Sequence, residues 1–205
     1  MIVGGFQPFT LSDFPGRMAA IIFTQGCNFR CPFCHNGSLI PLQTGPGEGI
    51  PEPTILDFLQ KRRGQLDGLV VTGGEPTIQT GLISFLRRVK GMGYRIKLNT
   101  NGSRPEVLQD LLAENLLDFI AMDVKAPWDL YDRLAGVRVN RKKIEECIGL
   151  VASCGIEHEY RTTFVEPLLS PEDMESIREM IPTGSPHRIQ TFQPANALDS
   201  QLRND

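Results

Sequence analysis

The sequence carries no strong charge of either sign. Its 21 Lys and Arg stand against 24 Asp and Glu, a formal net charge of −3. That balance gives no electrostatic ground for binding nucleic acid or a membrane surface. No window is long and apolar enough to read as a membrane span. The opening Met1-Ile2-Val3-Gly4-Gly5-Phe6 lacks the basic region and continuous apolar run of a secretory leader. There is no internal repeat, no low-complexity tail and no persuasive nucleophile or catalytic triad. A cytoplasmic protein is the expectation, and it changes how the five cysteines read. In a reducing compartment, three cysteines between positions 27 and 34 are ligands before they are disulfide partners. Basic residues do gather locally, at Lys61-Arg62-Arg63, Arg87-Arg88 and Arg141-Lys142-Lys143. Each run lies near a predicted helix end and reads as a favourable terminus with a solvated face.

What is present points to one α/β domain over residues 1–205, with 1–17 as an N-terminal extension. Short β-rich runs are predicted at Ala19–Thr24, Gly68–Thr72, Arg95–Thr100, Phe119–Val124, Glu157–Val165 and Arg188–Phe192. They alternate with helical patterns at Thr54–Arg63, Gln79–Lys90, Pro105–Glu114, Arg141–Ser153 and Pro171–Met180. Strands joined by crossover helices describe a parallel sheet with helices outside it. Eight such units need roughly 250 residues, so a shorter, partial (β/α)6 barrel is the predicted architecture. The Gly- and Pro-rich stretch from Cys34 to Pro53 has no convincing element and is expected to wrap the site.

The loop after the first of these strands reads Cys27-Asn28-Phe29-Arg30-Cys31-Pro32-Phe33-Cys34-His35-Asn36. A cubane iron–sulfur cluster needs thiolates converging from a tight loop, which this C-x3-C-x2-C spacing supplies. Three ligands leave one of four irons open to a small molecule. A structural zinc using His35 as fourth ligand is the competing reading, although His35 is adjacent to Cys34 and awkward for closing a tetrahedron. Coincidental core cysteines are another. Cys147 and Cys154 read as plain buried thiols.

Four further segments sit where strands end. Thr72-Gly73-Gly74-Glu75-Pro76 offers two glycines for close backbone approach with exposed N–H groups, and a carboxylate that accepts from an ammonium. Asn99 and Asn101 stand at the next strand end, as cofactor ligands or as turn caps. Asp123 and Lys125 are charges at the mouth of an apolar strand, costly to bury without partners. Arg161 carries a fork suited to a carboxylate.

The cysteine loop, with Phe33 just before its third cysteine, resembles the cluster signature of the radical S-adenosylmethionine (SAM) superfamily. Gly73-Gly74-Glu75-Pro76 resembles that superfamily's contact to the SAM amino group. The resemblance implies a [4Fe–4S] cluster on Cys27, Cys31 and Cys34, and SAM bound by Phe33, Gly73, Gly74, Glu75, Asn99, Asp123, Lys125 and Arg161. It implies reductive cleavage of SAM to a 5′-deoxyadenosyl radical that abstracts hydrogen. The string from Cys27 to Asn36, with Phe14-Pro15-Gly16 ahead of it, is most similar to activating enzymes for glycyl-radical proteins. No cysteine lies between Cys34 and Gly73, so the larger type with a ferredoxin-like insert is excluded. Two compact types then remain, the activators of anaerobic ribonucleoside-triphosphate reductase and of pyruvate formate-lyase. The resemblance implies a longer chain for the latter, so the reductase is the expected partner of this 205-residue chain, with a low-potential donor such as flavodoxin or ferredoxin. A pyruvate formate-lyase activase, a 7-carboxy-7-deazaguanine synthase and a non-enzymatic electron-transfer module remain as alternatives.

Overall fold

In a computed structural model, residues 1–42 and 49–203 are described. The chain runs β1 (Val3–Thr10), β2 (Ala19–Thr24), α1 (Glu52–Lys61), β3 (Gly68–Gly73), α2 (Leu82–Gly91), β4 (Arg95–Thr100), α3 (Pro105–Ala113) and β5 (Phe119–Asp123). It continues α4 (Tyr131–Ala135), α5 (Arg141–Ser153), β6 (Glu157–Phe164), α6 (Pro171–Met180) and β7 (His187–Thr191). Strands lie in sequence order in one sheet, β2 to β7 parallel and β1 antiparallel on β2. No β7–β1 pairing closes it among the described residues. The partial parallel barrel is thus as expected, and the segment 1–17 is a correction. It is an integral edge strand followed by a plug, with Phe14 fully buried under the sheet. A Cβ on Gly68 would stand 2.8 Å from the Phe14 ring. Of the Cys34 to Pro53 stretch, residues 43–48 lie outside the described residues. Within the described part, Leu39 and Ile40 accept from the N–H groups of Gly26 and Cys27 at 2.7 and 3.1 Å.

Helix ends follow their capping chemistry. Ser170 and Asp173 form a reciprocal capping box at α6, with Pro171 in its first turn. Acidic residues open α1, α3, α4 and α6, and Lys61 and Arg88 lie in last turns, where the helix dipole favours cations. The run Arg141-Lys142-Lys143 is the exception. It forms the first turn of α5, which holds no acid, so the favourable-terminus reading is wrong there.

The period-2 alternation of strands sorts side chains onto two faces. Ile22, Leu69, Val71, Ile96, Leu98, Ile120 and Met122 pack with the helices in the main core. The other face is concave. At its closed end Phe14, Ala19, Ile21, Val70, Phe119 and Ala121 form a small apolar cluster. On the same parity, toward the C-terminal ends of the strands, come Thr72, Asn99, Asp123, Arg161 and Thr163. Between these levels Lys97 reaches across β5 to Glu159 at 3.2 Å, both buried. No helix among the described residues is long and apolar enough to cross a membrane.

Candidate active site

The concave face opens into a cavity of about 220 Å³ at the C-terminal ends of the strands. The residues expected to hold the cluster and SAM all line it: Cys27, Cys31, Phe33 and Cys34 after β2, Gly73, Gly74 and Glu75 after β3, Asn99 on β4, Asp123 and Lys125 at the end of β5, and Arg161 on β6. Parallel sheets place their ligands at this end because every strand delivers its following loop there.

The cysteine loop is fixed largely by backbone hydrogen bonds. Arg30 folds back to donate to the carbonyls of Cys27 and Phe29 at 2.6 and 2.7 Å, and its own N–H donates to Ala135 on α4 at 2.7 Å. Asn28 accepts from the Asn101 side chain at 2.9 Å and donates to Ser103 at 2.8 Å, tying the loop to the end of β4. The ring of His35 stacks on Phe192, centroids 5.7 Å apart, and its Nε2 accepts from the Gln193 N–H at 3.3 Å. The Asp199 N–H donates to the Pro32 carbonyl at 2.8 Å. Burial pushes the Cys27 thiol up to about 12 and the Cys31 thiol up to about 11. The N–H of Phe29 already points at the Cys27 Sγ, 3.3 Å away.

The two glycines do something the sequence did not suggest. A Cβ on Gly74 would lie 2.0 Å from the Gly26 carbonyl oxygen, and one on Gly73 2.3 Å from the Thr24 nitrogen. Gly73 is also at φ +112°, a conformation side chains rarely adopt. The close approach is to the stem of the cysteine loop. The Gly74 N–H is not exposed as expected, because it donates to Thr24 at 2.9 Å, and the next N–H, of Glu75, donates to Gly26 at 2.8 Å.

Glu75 is a buried hub. Its Oε1 accepts from Thr77 N–H, Thr77 hydroxyl and Thr100 hydroxyl at 3.0, 2.5 and 2.8 Å, and its Oε2 from Asn101 N–H at 2.7 Å. Burial holds the carboxyl above its ordinary range, against the pull of those hydrogen bonds. Asn101 is therefore a structural cap. Asn99 donates to Thr72 at 3.2 Å, but its Oδ1 is buried with no partner. Asp123 takes Arg161 on one oxygen at 2.8 Å and Lys125 on the other at 2.9 Å. Burial opposes its ionisation, yet the two cations hold its pKa below the usual value. Lys125, although buried, is raised above its ordinary value by Asp123 and lies 5.8 Å over the Phe33 ring.

Several residues stay outside the cavity. Trp128 stacks on Tyr131 and under Arg141, 5.3 and 4.5 Å away. Gln193 meets His35 through its backbone. Cys147 is buried in the core, and Cys154 donates to Val151 in its own helix. Among the described residues no three His, Cys, Asp or Glu side chains gather closely enough to hold a single ion. The reading from sequence missed Thr72, Thr100 and Thr163. The period-2 parity with Asn99 and Arg161 was the signal for Thr72 and Thr163.

Comparison with known proteins bears on this geometry. A protein of Methanocaldococcus jannaschii provisionally named a glycyl-radical enzyme activating enzyme is 34% identical, over 98% of this chain and 84% of its own length. The 7-carboxy-7-deazaguanine synthase of Hyperthermus butylicus is 27% identical over 87% of this chain and 79% of its own. Among solved structures, Streptococcus suis SuiB bound to precursor peptide SuiA has TM-score 0.64 at 14% identity, over 85% of this chain and 39% of that one. Escherichia coli coproporphyrinogen III oxidase has TM-score 0.63 at 16% identity, over 95% of this chain and 49% of that one. The chain thus spans less than half the length of these two proteins, and they share its fold. The model of the radical SAM superfamily matches residues 21–181, from β2 through α6, and the chain belongs to that superfamily, which works with a [4Fe–4S] cluster and SAM.

Proposed function

We propose that the chain is an activating enzyme that takes a hydrogen atom from a glycine of a partner glycyl-radical enzyme, anaerobic ribonucleoside-triphosphate reductase being the favoured partner. The observation that carries this reading is the gathering of the cysteine loop and four strand-end motifs around one cavity, in a chain similar over 98% of its length to a provisionally named activase. When bound, the cluster supplies one electron for cleaving SAM into methionine and the 5′-deoxyadenosyl radical that abstracts hydrogen.

The residues present fit these groups. Cys27, Cys31 and Cys34 are three thiols on one loop in one cavity, and as ligands Cys27 and Cys31 give up protons that burial now holds. The Phe29 N–H is placed to stabilise the Cys27 thiolate. Arg161 offers its fork to the SAM carboxylate, and Asp123 orients both it and Lys125. The unpartnered Asn99 Oδ1 accepts from a cofactor hydroxyl. Glu75 Oε2 carries one hydrogen bond and keeps capacity for an ammonium. Phe33, buried beside Lys125, keeps water from that wall. Gly73 and Gly74 set the distance between the Glu75 turn and the cysteine loop. A low-potential donor such as flavodoxin or ferredoxin supplies the electron, in the cytoplasm.

The test is anaerobic. The cluster is reconstituted and reduced, SAM and the reductase are added, and a glycyl-radical EPR doublet is sought. A doublet establishes reaction and partner together. Cleavage of SAM without a doublet, on the reductase and on pyruvate formate-lyase alike, refutes the protein-substrate reading. A second reading, a small-molecule radical enzyme, is supported by the similarity to 7-carboxy-7-deazaguanine synthase. It predicts a modified small molecule and no doublet.

A further inference from the structure

Behind the cysteine loop lies a second hollow, of about 190 Å³. Phe29, a buried residue, lines both this hollow and the main cavity, and Asn28 of the hollow bonds Asn101 of the main cavity at 2.9 Å. The N–H of Phe29 bonds the Cys27 Sγ at 3.3 Å. The hollow's rim is basic. Arg104 precedes α3, Arg138 lies between α4 and α5, and Lys143 is in the first turn of α5. Arg141 and Lys142 extend the rim around Arg138, and exposed Arg30 and Arg133 flank it where the cysteine loop meets α4.

Acids answer only part of this charge. Glu106 pairs with Arg104 and Lys143, Glu145 pairs with Arg141, and Asp132 accepts from the Val139 N–H. Arg30, Arg133, Arg138 and Lys142 have no acidic partner among the described residues. The patch also breaks a local rule. Three cations occupy the first turn of α5, the end whose dipole repels them, while α1, α3, α4 and α6 each open on an acid. A local conflict of this kind, in a chain of net charge −3, is expected where function asks for it.

We propose that this rim is the docking surface for an acidic one-electron carrier protein that reduces the cluster, an inference that rests on the function proposed above. Opposite charge steers such a carrier and holds it against the hollow that shares Phe29 with the ligand cavity. In the step itself one electron leaves the carrier's reduced flavin and one is gained by the cluster. No bond forms and no group is transferred.

The experiment uses the cluster-loaded protein, with a reduced acidic flavodoxin as the probe. Two readouts are taken at low and high salt: the dissociation constant of the complex and the rate of cluster reduction followed by EPR. In Arg138→Glu/Lys142→Glu both are expected to worsen about tenfold or more at low salt and to lose most of their salt dependence. The milder Arg138→Gln/Lys142→Gln pair falls between. Reduction by dithionite, which needs no docking, is unchanged in both. Lys61→Glu/Arg63→Glu, an equal charge change at the far end of the strands, leaves flavodoxin reduction as in the native protein. Native-like flavodoxin binding and reduction in the first variant, or equal losses in the far-end control, overturn the docking surface and leave the enzyme reading intact. Failure of dithionite to reduce a cluster in the native protein sinks that reading and this inference with it.

Discussion

Replacing Gly74 by alanine tests the most specific steric claim made by the structure. The added Cβ lands 2.0 Å from the Gly26 oxygen, more than an ångström inside ordinary contact. Gly26 cannot simply retreat, because its carbonyl accepts from Glu75 at 2.8 Å while its N–H donates to Leu39 at 2.7 Å. Overpacking of a fixed backbone costs about 1–3 kcal/mol, and one strained or broken hydrogen bond adds about 1 kcal/mol. A loss of about 3 kcal/mol is therefore expected, a drop of about 1–2 M in the urea midpoint at ordinary slopes. The assay is anaerobic urea unfolding of the iron-free protein, followed by iron content after reconstitution. Because Gly26 directly precedes Cys27, iron content falls as well. Gly91→Ala is the internal control, in α2 with nothing within 4 Å of its added Cβ. It is expected to gain about 0.5–1 kcal/mol. If Gly74→Ala unfolds at the native midpoint, the steric role is refuted. Iron binding without SAM binding in such a variant would return the glycine to the ligand-facing role suggested by the sequence.

Asp123→Asn leaves Arg161 and Lys125 buried together without a counter-charge, at a cost of about 3 kcal/mol near neutral pH. The native Asp123 pKa is depressed, so its contribution is present above the unfolded value near pH 4 and lost as pH falls through the folded one; acid titration of the variant should lack that limb. Lys97→Met strands the Glu159 carboxylate in the barrel and costs about 3 kcal/mol, whereas Lys97→Met/Glu159→Met, which removes both charges, should recover most of that loss in thermal or urea unfolding. In the iron-free protein, thiols raised to about 12 and 11 should make Cys27 and Cys31 far slower toward iodoacetamide at pH 8 than after unfolding, as read by mass spectrometry of each peptide. Equal rates in folded and unfolded protein would contradict the burial of those sulfurs.

The cysteine loop and the strand-end motifs were legible because each is a short local pattern whose position on a parallel sheet follows from topology. β1 was not. Gly4, Gly5 and Pro8 interrupt its sequence, and only pairing with β2 makes it a strand. Its burial of Val3 and Thr10 at the two ends gives no alternation to detect. The five-residue α4 is too short to show a period. The Asn28–Asn101 bridge joins residues 73 apart, a contact that depends on how two loops meet and leaves no local trace. Gly73 and Gly74 were recognised as a close-approach site, but a sequence does not say what approaches.

One contact described above bears on the order of events in making the protein. His35 and Gln193, which join the cysteine loop to the segment after β7, are 158 residues apart. At ribosomal speeds of about 5–20 residues per second, that separation corresponds to roughly eight to thirty seconds of translation. Throughout that interval Cys27, Cys31 and Cys34 are already in the chain, and they leave the ribosome well before Phe192, Gln193 and Asp199 exist to brace their loop. The thiols of the nascent chain are then at their most accessible, so either iron delivery or oxidative damage has its widest window during synthesis rather than after it.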